Sequence, residues 1–274
     1  MGPLTSAVSQ LRPDVVRAFA GRDFAIARSY RLPFILDAFF GVLQLAVYFF
    51  ISRTLPEAGA KLGGAPSYFA FAAVGLIVAV VVQAASEELA YQIRRQQLSG
   101  TLEVIVAQPL SLAELCSGLV AFPFVFALGR AAVYLAIAAG WMKLDVANTS
   151  WVGLVAVFVV SAVALSAIGL LAGALVIVLK RGEALASMAV FAMTLLGGSV
   201  FPISALPGWL EPLGKILPLR FAYEGVRAAL FRGEGWGADL LVLLGFSVVM
   251  VPLAIWLFGR ALRLAARQGS LGQY

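Results

Sequence analysis

The chain has 274 residues, of which 62% are hydrophobic and only 12% charged, with a net charge of +6 and a mean hydropathy of +0.96. A soluble domain of this size could not bury so much apolar side chain, so a soluble class is excluded. With no histidine and a single cysteine, Cys116, an internal disulfide and any His or multi-Cys metal site are excluded too.

The basic residues flank apolar runs instead of clustering on a polar segment, which points to membrane topology and away from nucleic acid. Residues 1–10 read as disordered. From Pro13 to Tyr30 the pattern is amphipathic. Val15, Val16, Phe19, Ala20, Ile26, Ala27 and Tyr30 form a stripe, interrupted by Asp23 and surrounded by Arg12, Arg17, Arg22, Arg28 and Arg31. This predicts a helix lying in the headgroup plane, with Val15, Phe19, Arg22 and Ile26 as its interfacial residues. The first apolar run starts only near Pro33, which argues against a cleaved leader.

Six runs approach or exceed the roughly 20 residues that cross a bilayer. They are Phe34–Ile51, Tyr68–Ala85, Leu112–Trp141, Trp151–Leu179, Ala184–Phe201 and Leu240–Leu257. The expected fold is an all-α polytopic membrane protein with one transmembrane domain over residues 1–274. Residues 1–32 are its cytoplasmic or interfacial helix, 33–260 the six-span bundle and 261–274 a cytoplasmic tail. If the N-terminus is inside, inner segments carry Arg12 to Arg31, Arg94, Arg95, Lys180, Arg181, Arg260, Arg263 and Arg267. Outer segments carry Arg53, Lys61, Lys143, Lys215, Arg220, Arg227 and Arg232. The excess places both termini in the cytoplasm and, in a bacterial cell, the protein in the inner (plasma) membrane.

Between the second and third spans lies Arg94–Leu115, too polar for a membrane. Gly100 and Pro109 bracket a short helix, Thr101–Gln108, whose Leu102, Ile105 and Val106 share a face, and Pro109 stops it. Ser111 and Glu114 then form a capping box for the next helix. The helix has no apolar partner in its own loop, which predicts a docking element for a soluble subunit or a helix resting on headgroups.

Within the spans, Arg130 is the charge placed deepest, about mid-membrane if Trp141 marks an interface. An intramembrane charge is a functional-site hypothesis by default; a structural arginine paired inside the bundle is the alternative. Gly169 and Gly173 permit close helix packing. The segment Pro202–Gly237 is cut by Pro202, Pro207, Pro212 and Pro218 into two helix-like pieces, about Trp209–Leu217 and Leu219–Phe231. Each is too short to span, so a re-entrant hairpin at the outer side is expected, with a surface helix pair as the alternative. No phosphate-cradling loop is present, since Gly214-Lys215 is followed by Ile216. The chain therefore binds no ATP by that route, and no catalytic residue is expected.

Two motifs carry a resemblance. Ser99-Gly100-Thr101-Leu102-Glu103 with Gln108-Pro109-Leu110-Ser111 is one. Phe201-Pro202-Ile203, Leu206-Pro207-x-Trp209-Leu210, Leu217-Pro218-Leu219 and Tyr223-Glu224-Gly225-Val226-Arg227 make the other. Placed between six spans, they resemble the membrane subunit of an ATP-binding-cassette (ABC) transporter of the type-2 exporter class. The resemblance implies a second permease copy (identical or not) and two separate ATPase subunits that hold ATP and Mg. It also implies ATPase contact through Gly100, Thr101, Leu102, Glu103, Ile105, Val106 and Pro109, and an outer gate that includes Phe201, Pro202, Pro207, Trp209, Pro218, Tyr223 and Glu224. The expected cargo is a hydrophobic or amphiphilic compound such as a drug, antibiotic or lipid. A polysaccharide or lipid-linked glycan is the alternative within the class, and a secondary transporter or channel the alternative outside it.

Overall fold

The structure is a computed structural model and describes residues 12–29, 31–54, 62, 64–179 and 183–267. The expected disorder of residues 1–10, the place of Tyr30 in the stripe and most of the expected tail lie outside these. Among the described residues the chain is helical, with no strand. In order, the helices are α1 (Pro13–Ser29), α2 (Arg31–Thr54), α3 (Tyr68–Gln83), α4 (Leu89–Leu98), α5 (Thr101–Val106) and α6 (Leu112–Gly140). After these come α7 (Trp151–Leu179), α8 (Glu183–Leu196), α9 (Glu211–Ile216), α10 (Pro218–Arg227) and α11 (Trp236–Arg267).

Five helical stretches are long and apolar enough to cross a membrane: Ile35–Thr54, Tyr68–Leu98, Leu112–Gly140, Trp151–Leu179 and Trp236–Arg267. The protein is an all-α polytopic membrane protein. The expected second span is longer than its apolar run, because α3 continues through a π-helical turn, Ala84–Glu88, into α4. The expected fifth span is shorter. Helix α8 has 14 residues and rises only about 21 Å, and the chain turns at Gly197 and Gly198, the latter with φ 89°. The last helix runs on to Arg267, into the stretch expected to be tail.

Helix α7 is the hub. It packs along α11 and against α4, the π turn and α10. Two of its glycines make this possible: a Cβ at Gly169 would lie 2.1 Å from the carbonyl oxygen of Ala85, and one at Gly173 would meet the end of Ile93. The small-residue spacing is therefore a packing device. Helix α3 is the most enclosed span, 83% of its best window being buried, whereas α2 lies at the periphery with 6%. Helix α2 touches the bundle through α3 and α6.

The core divides along the bundle. One cluster joins Phe69, Val74, Ile77, Tyr134, Leu165, Leu219, Tyr223 and Leu230; the other joins Leu89, Ile93, Leu102, Leu115, Leu119, Phe258 and Leu262. The first belongs to the end that carries α9 and α10, the second to the end that carries α5 and the last turns of α11.

Candidate functional site

At the α5 end, α4 stops at Ser99, and Gly100 adopts φ 70° to start α5, a left-handed conformation that favours glycine. Thr101 tightens the turn: its hydroxyl lies 2.9 Å from that of Ser99 and donates to the carbonyl of Gln96 at 3.3 Å. The expected outward apolar face of α5 is corrected here. Leu102 is fully buried in the chain's own core, and Ile105 and Val106 pack against the same cluster. The reason is geometric: α5 folds back against α4, so the face without a partner in the loop finds one in the bundle. What α5 shows to solvent is Thr101, Glu103 and Val104, followed by Ala107, Gln108 and Pro109, with Val104 61% exposed.

One buried carboxylate ties this end together. Glu114 accepts from the backbone N–H of Ser111 at 2.8 Å while Ser111 Oγ accepts from Glu114 N at 3.2 Å, completing the expected capping box. Its other oxygen, Oε1, accepts from Arg12 Nε at 2.7 Å, and Arg12 also donates to the carbonyl of Pro109 at 3.2 Å. The carboxylate holds the Arg12 guanidinium above its ordinary pKa through this hydrogen bond and charge. The start of α1, the end of the α5 loop and the start of α6 thus meet at Glu114.

Helix α1 lies along α6. Val15, Val16, Phe19 and Ala20 are half-buried, and Phe19 sits where a Cβ on Gly118 would be, 2.8 Å away. Two details differ from the sequence expectation. Asp23, read as a break in the stripe, is on the packed side, 7% exposed, and pairs with Arg22 at 2.8 Å. Ile26 points outward at 40% exposure beside Phe24 at 60%. The packed stripe is rotated toward Asp23 because Arg22 neutralises it.

Arg130 is largely buried and pairs with Asp37 of α2. Next to this pair, Tyr134 donates to the carbonyl of Asp37 at 3.3 Å, and a Cβ on Gly41 would overlap the Tyr134 hydroxyl. Arg130 therefore has a partner within the chain. The carboxylate was available to sequence reasoning, since Asp37 lies in the first apolar run.

The opposite end holds a second buried arginine that sequence reasoning assigned to an outer loop. Arg227, at the end of α10, is 6% exposed. Its Nη2 donates to the carbonyls of Gly198, Phe71 and Ser199 at 2.9, 3.2 and 3.2 Å, and its guanidinium lies 3.5 Å from the centre of the Phe71 ring. The signal was present: Leu219, Ala222, Tyr223, Val226 and Arg227 fall on one helical stripe. Gly75 completes the joint, for a Cβ there would lie 1.8 Å from the carbonyl oxygen of Ser199. The backbone after α8 lies directly on α3 at this point.

The two arms of the expected hairpin differ. Tyr223, Leu219 and Val226 of α10 are buried among α3, α7 and α11, while α9 is at the surface, with Leu213 53% and Ile216 77% exposed. Trp209, before α9, is 75% exposed. Phe201, Pro202 and Pro218 are half-buried, Pro207 is exposed, and Glu224 pairs with Arg220 at 3.0 Å. The loop between α6 and α7 clasps the buried arm: Ser150 N donates to Ala229 O at 2.9 Å and Thr149 Oγ1 to Leu230 O at 3.0 Å.

A family model for the ABC-2 type transporter membrane domain matches residues 17–231. The chain belongs to the ABC-2 type transporter family. The match runs from α1 through the buried arginine of α10 and the π turn after it, so it takes in both ends described above. Membership makes the chain an ABC permease subunit of an exporter, a transport subunit with ATPase partner subunits and a place in the membrane. Comparison with curated proteins finds no match.

Proposed function

We propose that the chain moves a hydrophobic or amphiphilic compound, such as a drug, antibiotic or lipid, out of the cytoplasm or the inner leaflet. Two ATPase subunits, which hold ATP and Mg, dock at the α5 end, and a second permease copy completes the pathway. The α5 end is cytoplasmic in this reading, as are both termini. The excess of Lys and Arg at that end supports the orientation, and it places the protein in the inner (plasma) membrane.

The observation that carries the docking site is the way α5 is mounted. Leu102 anchors it from beneath, leaving Glu103 and Val104 as an outward edge. An anchored helix passes a push to what it is anchored in, here the start of α6 and, through Glu114, the start of α1. Glu103 supplies a charge that orients a partner at the rim, and Val104 an apolar contact at the centre.

The test is co-purification. The tagged chain is extracted gently from its native membrane, and the bound ATPase and its ATP hydrolysis are measured. Glu103→Lys and Val104→Asp should insert normally and release the ATPase. Retention of the ATPase by both variants, or movement of solute in liposomes by the chain alone, would overturn the proposal.

A further inference from the structure

Between α7 and the last turns of α11 lies a groove of about 660 Å³, within the roughly 300–1,000 Å³ typical of small-molecule sites. Its two walls differ in chemistry. Helix α7 contributes Leu171, Leu175 and Val178 at i, i+4 and i+7, and Leu175 and Val178 are 40% and 47% exposed. Helix α11 contributes Arg260, Arg263 and Arg267 at i, i+3 and i+7, so all three project from one side. Among the described residues none of the three has a carboxylate within ion-pair distance. Trp256, one turn earlier, lies under the Arg260 guanidinium at 4.7 Å, and an indole is a side chain suited to headgroup depth.

We propose that this groove binds an anionic phospholipid, its headgroup phosphate held by Arg260, Arg263 and Arg267 and one acyl chain lying along Leu171, Leu175 and Val178. Charge complementarity selects an anion: three guanidiniums that never lose their protons converge on one cavity. The apolar wall selects an amphiphile, because a free phosphate would leave it wet. Basic pockets between spans at a membrane face suit such headgroups on physical grounds. Arginines that only set topology would have no reason to share a cavity with an exposed leucine stripe. The groove opens at the α5 end, with Ala261 and Leu262 of the same turns packing in the cluster that holds Leu102. A lipid there would brace the part of α11 on which α5 rests. The inference rests on the membrane assignment and not on the identity of the cargo.

The experiment uses the full chain, purified in mild detergent with whatever subunits accompany it and mixed with equal amounts of phosphatidylglycerol and phosphatidylcholine. Retained lipid is counted by native mass spectrometry. Phosphatidylglycerol should be retained in preference to phosphatidylcholine. Arg263→Gln should weaken retention about fivefold, and the triple Arg260→Gln, Arg263→Gln, Arg267→Gln variant on the order of a hundredfold. Arg53→Gln with Lys143→Gln and Arg232→Gln, which removes the same charge near the other end, should change little. Leu175→Trp, which fills the groove at full charge, should also displace the lipid, and this keeps the test usable if the triple variant fails to fold. Equal loss in the charge-matched control would overturn the proposal in favour of general attraction. Displacement by inorganic phosphate with no effect of Leu175→Trp would replace the lipid by a soluble anion. Efficient cross-linking of two copies through Leu264→Cys with no lipid retained would make the groove an interface between copies.

Discussion

The two ends of the bundle mount a short helix in opposite ways. At one end α10 is sunk among α3, α7 and α11, and its terminal arginine is spent on three carbonyls and a ring. At the other end α5 is held by Leu102 with Ile105 and Val106 beside it, and its polar edge is left outside. Burying a hydrogen-bonded charge makes a joint that is costly to open, because every group it releases is left without water. A helix seated on one leucine is held more lightly and keeps a free surface. The first arrangement suits a fixed closure, the second a handle.

Mutations can break this contrast, and the largest effect should come from the sunken end. Arg227→Ala strands the carbonyls of Phe71, Gly198 and Ser199 and should cost about 3–5 kcal/mol, seen as a large drop in thermal unfolding temperature in detergent. Should the variant melt like the wild type, the closure is not held by its arginine. At Leu102, Leu102→Ala should cost roughly 2–5 kcal/mol, but as local loosening: faster amide exchange in α5 and the start of α6, with little change in α10. Gly75→Ala forces a Cβ against the Ser199 carbonyl and should cost about 1–3 kcal/mol, again by thermal unfolding. Glu114→Gln, which removes the charge that Arg12 meets, should speed amide exchange in the first turn of α1 while leaving α10 unchanged. The smallest effect on the fold is expected from Glu103→Lys, within about 0.5 kcal/mol of the wild type, despite loss of the co-purifying ATPase. Together the last two separate holding the handle from using it.

Much of the architecture was legible in residue patterns. The capping box at Ser111 and Glu114, the stop at Pro109 and the four prolines that cut up the last extramembrane segment are local signals. The structure obeys them because no tertiary contact opposes them. What escaped was the direction of a face. The spacing of Leu102, Ile105 and Val106 announces a buried stripe but not whether the bundle or another protein buries it, since both exclude water equally well. The same ambiguity hid Arg227: a charge near an outer loop is ordinarily solvated, and only the stripe it shares with Leu219 and Tyr223 says otherwise. Asp37 was overlooked as the partner of Arg130 because the contact joins α2 to α6, and helices so far apart in the chain share no local pattern. The length of α8 was misjudged because an apolar run continues through Gly197 and Gly198, where hydropathy is indifferent and backbone conformation decides.

The π-helical turn at Ala84–Glu88 bears on how such chains can change by insertion and deletion. A one-residue deletion there would leave a continuous α-helical ladder yet turn all that follows by about 100°. Leu89 and Ile93 would swing off the faces that now meet the core around α7, and α5 would be carried round with them. The five residues of that turn are therefore a reading frame for the whole α5 end: substitutions within it should be survivable, and a change of length by a single codon should not.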